Sequence, residues 1–488
     1  MLKFKKLLAL TLGAVIASSM VLTGCTKDKA TSGQKDSNSK PVELVWYTIG
    51  TPQKDMEKVN EEINKYIKDK IGATVKIKQV DWGDYNQKMQ VVINSGEEYD
   101  IAFTCSWAND YLANARKGAF VALNDSKNNL LEKYGKDTYN TVDKNFWEGA
   151  KLDGKIYAVP TNKELGVSPE WVFTKEYVDK YNIDISKIKT LEDLEPYLKL
   201  IKEKEPDVVP FYIIKDFTVP QAFDKIIDPV GVSLTDNSLK VANLYETDGM
   251  KKTLETMNKY YKAGYINKDA ATAKDDKTVK RFVTKGDGQP YADVLWSKDL
   301  GYKVVATPIM DTYITNASTT GAMQAISVTS KHPDKAMQFL NLLNTDKTLR
   351  NLVNYGIEGV HYQKVGDGQI KITPEQKNYQ MPYFALGNLF ITYTLDNEPK
   401  TKWDEFKKFN SDSKKSPALG FKFDATPVNT EVAALRNILD EFGPVLNSGT
   451  VDPNEYLPKM NAKLKAAGID KIVAEMQKQM DQWKASSK

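Results

Sequence analysis

The chain has 488 residues, 41% of them hydrophobic and 27% charged, with a formal net charge of +4. Those proportions describe an ordinary soluble globular protein, and the length leaves room for about two to three domains. The positive charge is spread as Lys, with Arg116, Arg281, Arg350 and Arg436 the only arginines, so no basic face suits a nucleic acid. His332 and His361 are the only histidines, too few for a multi-histidine zinc site, and neither a metal nor a cofactor is expected.

Lys3, Lys5 and Lys6 precede an apolar run, Leu7 to Val21, that is too short to span a bilayer comfortably. It ends at Leu22-Thr23-Gly24-Cys25, which resembles the bacterial lipobox. That resemblance makes residues 1–24 a signal peptide and Cys25 the lipidated new N-terminus, with the chain anchored on the extracytoplasmic face of the cell membrane. Residues 26–40 are polar and rich in Ser and Lys, a tether reaching on the order of 20 Å as a random coil. No later segment reads as transmembrane. With Cys25 consumed by lipid, Cys105 has no intramolecular partner, so no disulfide supports the fold.

Leu44 to Thr48 is a β-rich run. Lys54 to Lys70 carries Met56, Val59, Ile63 and Ile67 at helical spacing and closes at Gly72. Thr74 to Val80 alternates with period two, Tyr85 to Asn94 is helical, and Asp100 to Thr104 is another strand. Strand and helix in alternation at these lengths predict a parallel sheet with helices on both faces. A second α/β lobe follows over Glu170 to Gly301 and just beyond. Its strands are expected at Trp171 to Thr174, Pro210 to Ile214, Ala292 to Trp296 and Tyr302 to Thr307, and its helices at Leu191 to Lys204 and Met250 to Ala263. The C-terminal region, about 420–488, is helical: Asp452-Pro453-Asn454-Glu455 is a capping box, and Ile472, Val473, Met476, Met480 and Trp483 form an apolar face that reads as core.

Ligands of open parallel sheets sit beyond the carboxyl ends of the strands. Tyr47, Thr48 and Thr51 follow the first strand, Asp81, Trp82 and Tyr85 the second, and Ser106, Trp107 and Asn109 the third. Each end brings an aromatic ring beside short polar groups. That combination suits a sugar, whose C–H face stacks on a ring while its hydroxyls take polar partners; half-buried packing residues are the alternative. Trp46 and Tyr47 alternate in facing, so at most one reaches a cleft, and Tyr47 lies nearer the strand end.

Gly154-Lys155-Ile156-Tyr157-Ala158-Val159-Pro160 resembles the G-K-x-Y-x-x-P segment of type 1 extracellular solute-binding proteins. Gly321 to Ala336, running on through Leu340, resembles their later re-crossing between lobes. Gly420 to Asp424, Val451-Asp452-Pro453, Ala467 to Asp470 and Gln477 to Trp483 are similar to the domain of unknown function that ends LipO-like lipoproteins. The resemblance implies an α/β, two-lobed periplasmic-binding-protein-like (type II) fold with hinge crossovers, closing on ligand for an ABC importer. It implies that Tyr157 and Asn162 line the hinge side of the cleft. Tyr355-Gly356-Ile357-Glu358-Gly359-Val360-His361-Tyr362 resembles a turn of LipO-like relatives; Tyr355 or Glu358 contacts ligand there, or the turn is purely structural. Trp296, taken as a strand end, is a candidate opposing platform, whereas Trp171 reads as core.

The expected organisation is a monomer with lobe 1 at 41–159 and 327–372 and lobe 2 at 160–326 and 373–488. Its ligand is a small polar solute, with an oligosaccharide favoured over a peptide and the permease subunits of the importer as protein partners. An enzyme is not expected. His332 lies in a Ser330-to-Asp334 turn and Cys105 reads as a small buried residue. A glycosidase needs only two carboxylates and 64 acidic residues are present, yet no strand end offers a pair.

Overall fold

The computed structural model describes residues 40–486. The signal segment, Cys25 and the tether to residue 39 lie outside the described residues. Strand β1 (Val42–Ile49) is followed by helix α1 (Met56–Ile71), strand β2 (Ala73–Val80), helix α2 (Tyr85–Ser95) and strand β3 (Ile101–Thr104). β1 pairs in parallel with β2 from Val42↔Ala73 to Ile49↔Val80, and on its other side with β3 at Trp46↔Ile101. α1 turns Val59, Ile63, Ile67 and Ile71 to one face of this sheet and ends at Gly72, whose left-handed φ of 65° lets its N–H reach the Lys68 carbonyl. α2 buries Tyr85, Met89 and Val92 on the opposite face. The parallel sheet predicted from the alternation of strand and helix is present, covered on both faces.

Two antiparallel strands complete it. Met323–Ile326 pairs with β3, and Ala158–Pro160 pairs with Met323–Ile326, Met323 lying opposite both Thr104 and Pro160. The chain leaves and re-enters the first lobe at one edge of one sheet. Lys151–Leu152 and Lys155–Ile156 form a hairpin just before that exit, turned by Asp153 and Gly154 at φ 51° and 76°.

The second lobe is built on a sheet ordered Val304–Pro308, Ser168–Thr174, Arg281–Gly288, Val209–Phe211. Its pairs are antiparallel apart from Arg281–Gly288 with Val209–Phe211. Trp171 and Phe173 lie at the centre of its core, together with Met460, Ile472, Met476 and Met480 of the C-terminal helices, all fully buried. Each lobe has its own apolar core, the first centred on Trp46, Ile63, Phe339 and Leu340. The two-lobed α/β fold with a helical C-terminal region is the architecture expected from the sequence.

Three expectations need correction. Ala292 to Trp296 is no strand: residues Ala292–Leu300 form a helix closed by Gly301 at φ 77°. Val294 and Leu295 there are 52% and 45% exposed, so the apolar run that looked like a buried strand faces outward. The return to lobe 1 begins at Met323, not 327, because that strand supplies the central antiparallel pairing. Beyond residue 372 the chain does not pass straight to lobe 2: Tyr379, Met381 and Leu386 are buried in the first lobe's core. These are isolated apolar residues without helical or strand period, so only the folded chain reveals their lobe. The final crossing runs past Lys414–Lys415, which pairs with Tyr313–Ile314 of the earlier crossing, and Ser416 then meets Asp224 of lobe 2.

Candidate ligand-binding cleft

The segments that follow the carboxyl ends of β2 and β3 come together beyond the first sheet. Trp82, just beyond β2, and Trp107, just beyond β3, are 43% and 49% exposed. Their rings stack with centroids 6.4 Å apart and planes at 23°. Phe384 joins them, 6.2 Å from Trp82 and 6.4 Å from Trp107. Behind Trp107 lies Phe103, at 5.7 Å, and the indole N–H donates to the Gly321 carbonyl at 2.9 Å, which fixes the ring's orientation. The result is an aromatic wall with a large apolar area left in water.

A cavity of about 400 Å³ beside Trp107 and Phe384 is closed by Asp287, Gly288 and Gln289 of lobe 2 and by Lys163 and Glu164 of the hinge. It continues past Glu164, Gln289 and Tyr383 into a second cavity of about 400 Å³, lined by Tyr291, Val294 and Leu295 of lobe 2 and by Tyr355 and Trp403. Lys163 and Glu164 form a partly buried ion pair where the chain leaves lobe 1. Tyr291 takes φ 67°; burial and then the nearby Glu405 carboxylate push its phenol up to about 12. Under Gly288 lies Glu170, whose carboxyl is raised to about 6, chiefly by burial and also by Asp293 and Asp287. A Cβ at Gly288 would stand 2.3 Å from the Glu170 carboxyl carbon, so only glycine lets the two approach. The cleft therefore joins stacked rings on one side to carboxylate, amide and ammonium groups on the other, contributed by both lobes.

The model of the bacterial extracellular solute-binding protein family matches residues 50–349, more than half the chain. The chain belongs to that family. Residues 417–485 match a domain of unknown function, DUF3502. A carbohydrate ABC transporter substrate-binding protein of Streptococcus pneumoniae serotype 4 is 37% identical over 98% of this chain and 97% of its own length. Lipoprotein LipO of Bacillus subtilis is 24% identical over 42% of this chain and 37% of its own. Among solved structures, the N-glycan transport solute binding protein of Streptococcus pneumoniae superposes with a TM-score of 0.85 at 37% identity, covering 92% of this chain and all of that one. Its complexes with Man1GlcNAc and Man5GlcNAc superpose with TM-scores of 0.74 and 0.72, over 90% and 92% of this chain and 99% of each of theirs. The family is one of substrate-binding transport proteins, not of enzymes.

Of the residues singled out in this solute-binding protein's sequence, the structure brings Trp82 and Trp107 together on the wall and places Tyr355 on the adjoining cavity. Tyr47 is not presented to ligand. Both faces of a helix-covered parallel sheet are buried, so Trp46 packs under α1 and Tyr47, 2% exposed, under α2. The Tyr47 hydroxyl donates to Glu97, and burial followed by that partner raises it to about 12. Thr48 is fully buried with its Oγ1 unpartnered, while Thr51, beyond the strand, is exposed. Tyr85 is likewise interior, donating to the Phe103 carbonyl at 2.8 Å.

The remaining candidates are dispersed. Ser106 is exposed on a different cavity, with Asp110, Arg116 and Lys422. Tyr157 packs in a small cluster with Tyr111 and Ala158. Asn162 is 5% exposed and braces the hinge, accepting from Leu389 N–H at its carbonyl and donating to the Thr141 carbonyl. Glu358 is exposed and paired with Lys364 at 2.7 Å on the outer side of lobe 1. Trp296 sits on the Ala292–Leu300 helix, over a groove of its own.

Phe384, Tyr383, Tyr291, Gln289 and Glu164 also line these cavities and were not among the residues marked by the sequence. Tyr383 and Phe384 lie in a short 3₁₀ turn, and Gln289 to Tyr291 in the link between strand and helix, where no periodicity marks them. Lys163 and Glu164 follow closely on the Gly154-to-Pro160 motif, a signal that could have marked them, but the hinge segment read from the sequence ends at Asn162. Cys105 is buried and its thiol pushed up to about 12 by that burial. Among the described residues no group of three or more His, Cys, Asp or Glu could hold a metal, and no helix is long and apolar enough to cross a membrane.

Proposed function

We propose that this solute-binding protein is the receptor of a carbohydrate ABC importer and that it captures an oligosaccharide between its lobes. The observation that carries the reading is that Trp107 and Phe384, with Trp82 stacked on them, share a cavity with Asp287, Gln289 and Glu164. Rings held half in water stack on the C–H faces of sugar units, and the carboxylates and amide across the gap take their hydroxyls. The relatives named for carbohydrate transport, and the complexes with Man1GlcNAc and Man5GlcNAc, support a mannose- and N-acetylglucosamine-containing ligand. Ligand touching both walls stabilises the closed arrangement through contacts the open one lacks. The higher TM-score to the relative's structure named without a sugar than to its two complexes supports an open arrangement here.

On this reading Trp107, Trp82, Phe384 and Tyr383 form the sugar platform, and Lys163, Glu164, Asp287 and Gln289 supply polar contacts. Cys25 carries the lipid, which keeps a monomeric receptor beside its permease subunits. Titration calorimetry of the full-length chain in detergent with Man5GlcNAc, and with a panel of other oligosaccharides and peptides, tests the assignment. Saturable heat is expected with the glycan; heat with peptides alone overturns it. Replacing Cys25 with Ala should release the protein from cells into the medium, and retention on the membrane would contradict the anchor.

A further inference from the structure

The Ala292–Leu300 helix stands as a partition in the second lobe. Tyr291, Val294, Leu295 and Lys298 face the cavity that also holds Tyr383 and Trp403. Trp296 and Asp299 face a separate groove of about 330 Å³. Its far walls are Thr284 and Gly286 of the Arg281–Gly288 strand and the segment from Tyr212 to Thr218. Asp287 lines both this groove and the central cavity.

The groove has the chemistry of the cleft in miniature. Trp296 is half-buried and packs onto the strand where Gly286 has no side chain; a Cβ there would come within 2.7 Å of the indole. Its floor is rigid, because the buried Arg281 guanidinium lies 3.9 Å from the Tyr212 ring centroid and is paired with Asp275 at 2.9 Å. Asp216 and Thr218 stand exposed at its rim. One aromatic surface with a carboxylate and a hydroxyl beside it suits a sugar unit, and the volume falls at the lower end of the range of about 300–1,000 Å³ for small-ligand sites.

Three surfaces thus adjoin the central cavity. One is Trp107 with Trp82 stacked on it, one runs past Gln289 to Tyr291, and one lies beyond Asp287 at Trp296. A linear chain covers two of them. We propose that the Trp296 groove is a sugar subsite and that the ligand is a branched oligosaccharide, one arm of which crosses Asp287 to lie in this groove. This deepens the carbohydrate reading above and rests on it.

Calorimetry of the full-length chain in detergent with branched Man5GlcNAc and with the disaccharide Man1GlcNAc separates the two ideas. Trp296→Ala should weaken Man5GlcNAc binding about tenfold and leave Man1GlcNAc unchanged. Asp216→Ala, at an exposed position, should shift Man5GlcNAc affinity in the same direction without moving the melting temperature, and it serves if Trp296→Ala does not fold. Wild-type affinity for Man5GlcNAc in the folded variants, with both sugars weakened by Trp107→Ala, overturns the subsite and leaves the receptor standing. No binding of either sugar by the wild-type chain overturns both.

Discussion

An indole left half in water forgoes much of the burial for which a core uses tryptophan, and Trp82 and Trp107 are both left so. The Gly321 carbonyl holds the Trp107 ring without burying it, which is preorganisation for a flat partner. Trp107→Ala and Trp82→Ala should each cost about 1–3 kcal/mol of oligosaccharide affinity by calorimetry, with little change in melting temperature. Tyr47→Phe should do the reverse: about 1 kcal/mol lost from stability with its Glu97 bond, and unchanged affinity. A titrating group gives the same scale a pH signature. Burial pulls the ammonium of Lys422 down to about 7 from its ordinary 10.5, against the opposing effect of Asp224, with Arg116 adding to the shift and Glu148 opposing it. Between those pH values the unfolded chain holds more protons than the folded one, so this residue's contribution to stability rises with pH across that window; below about 7 its penalty is constant. Lys422→Met should therefore raise the melting temperature most near neutral pH, and its advantage should shrink as pH approaches 10. An advantage independent of pH would contradict the assignment.

At the scale of elements, the first lobe is held by turns that only certain residues permit. After the helix Lys347–Tyr355, Gly356 takes φ 84°, and a Cβ there would stand 2.5 Å from Nδ1 of His361. That nitrogen accepts the Ile357 N–H at 3.0 Å, which leaves Nε2–H to donate to Asp55 at 3.1 Å and ties the turn to the start of α1. Gly356→Ala should lower stability by more than about 2 kcal/mol in chemical denaturation, since it meets strain and a clash together. The Ala292–Leu300 helix teaches the opposite lesson. Its Val and Leu look like strand residues, but the strand position is already taken by Arg281–Gly288, and the helix instead carries them into the cleft. Gly301 beyond its end was the signal of a helix stop.

For the whole molecule, two of the connections between the lobes leave and enter at one edge of the first sheet and a third runs beside Tyr313–Ile314, so the proposed closure is a movement about these strands. Saturating oligosaccharide should reduce the radius of gyration measured by small-angle scattering. It should also raise stability by about 2.7 kcal/mol at one hundred times the dissociation constant, read as a shift in melting temperature. An unchanged radius with a raised melting point would mean that ligand binds without closing the lobes.

The sequence by itself determined the parallel strands of the first lobe, α1 with its Gly72 stop and the methionine-rich C-terminal core, because period and capping are local properties. It also marked Trp82 and Trp107, which follow strand ends directly. Only the tertiary structure decided that Tyr47 turns inward, since both faces of a covered sheet are apolar and alternation cannot say which residue stays wet, and that α2 carries Tyr85 beneath that sheet. It alone brought Phe384, far along the chain, onto the tryptophan wall, and set Trp296 on a helix beside a groove. Such meetings depend on where the crossings return, a long-range property that no local pattern records.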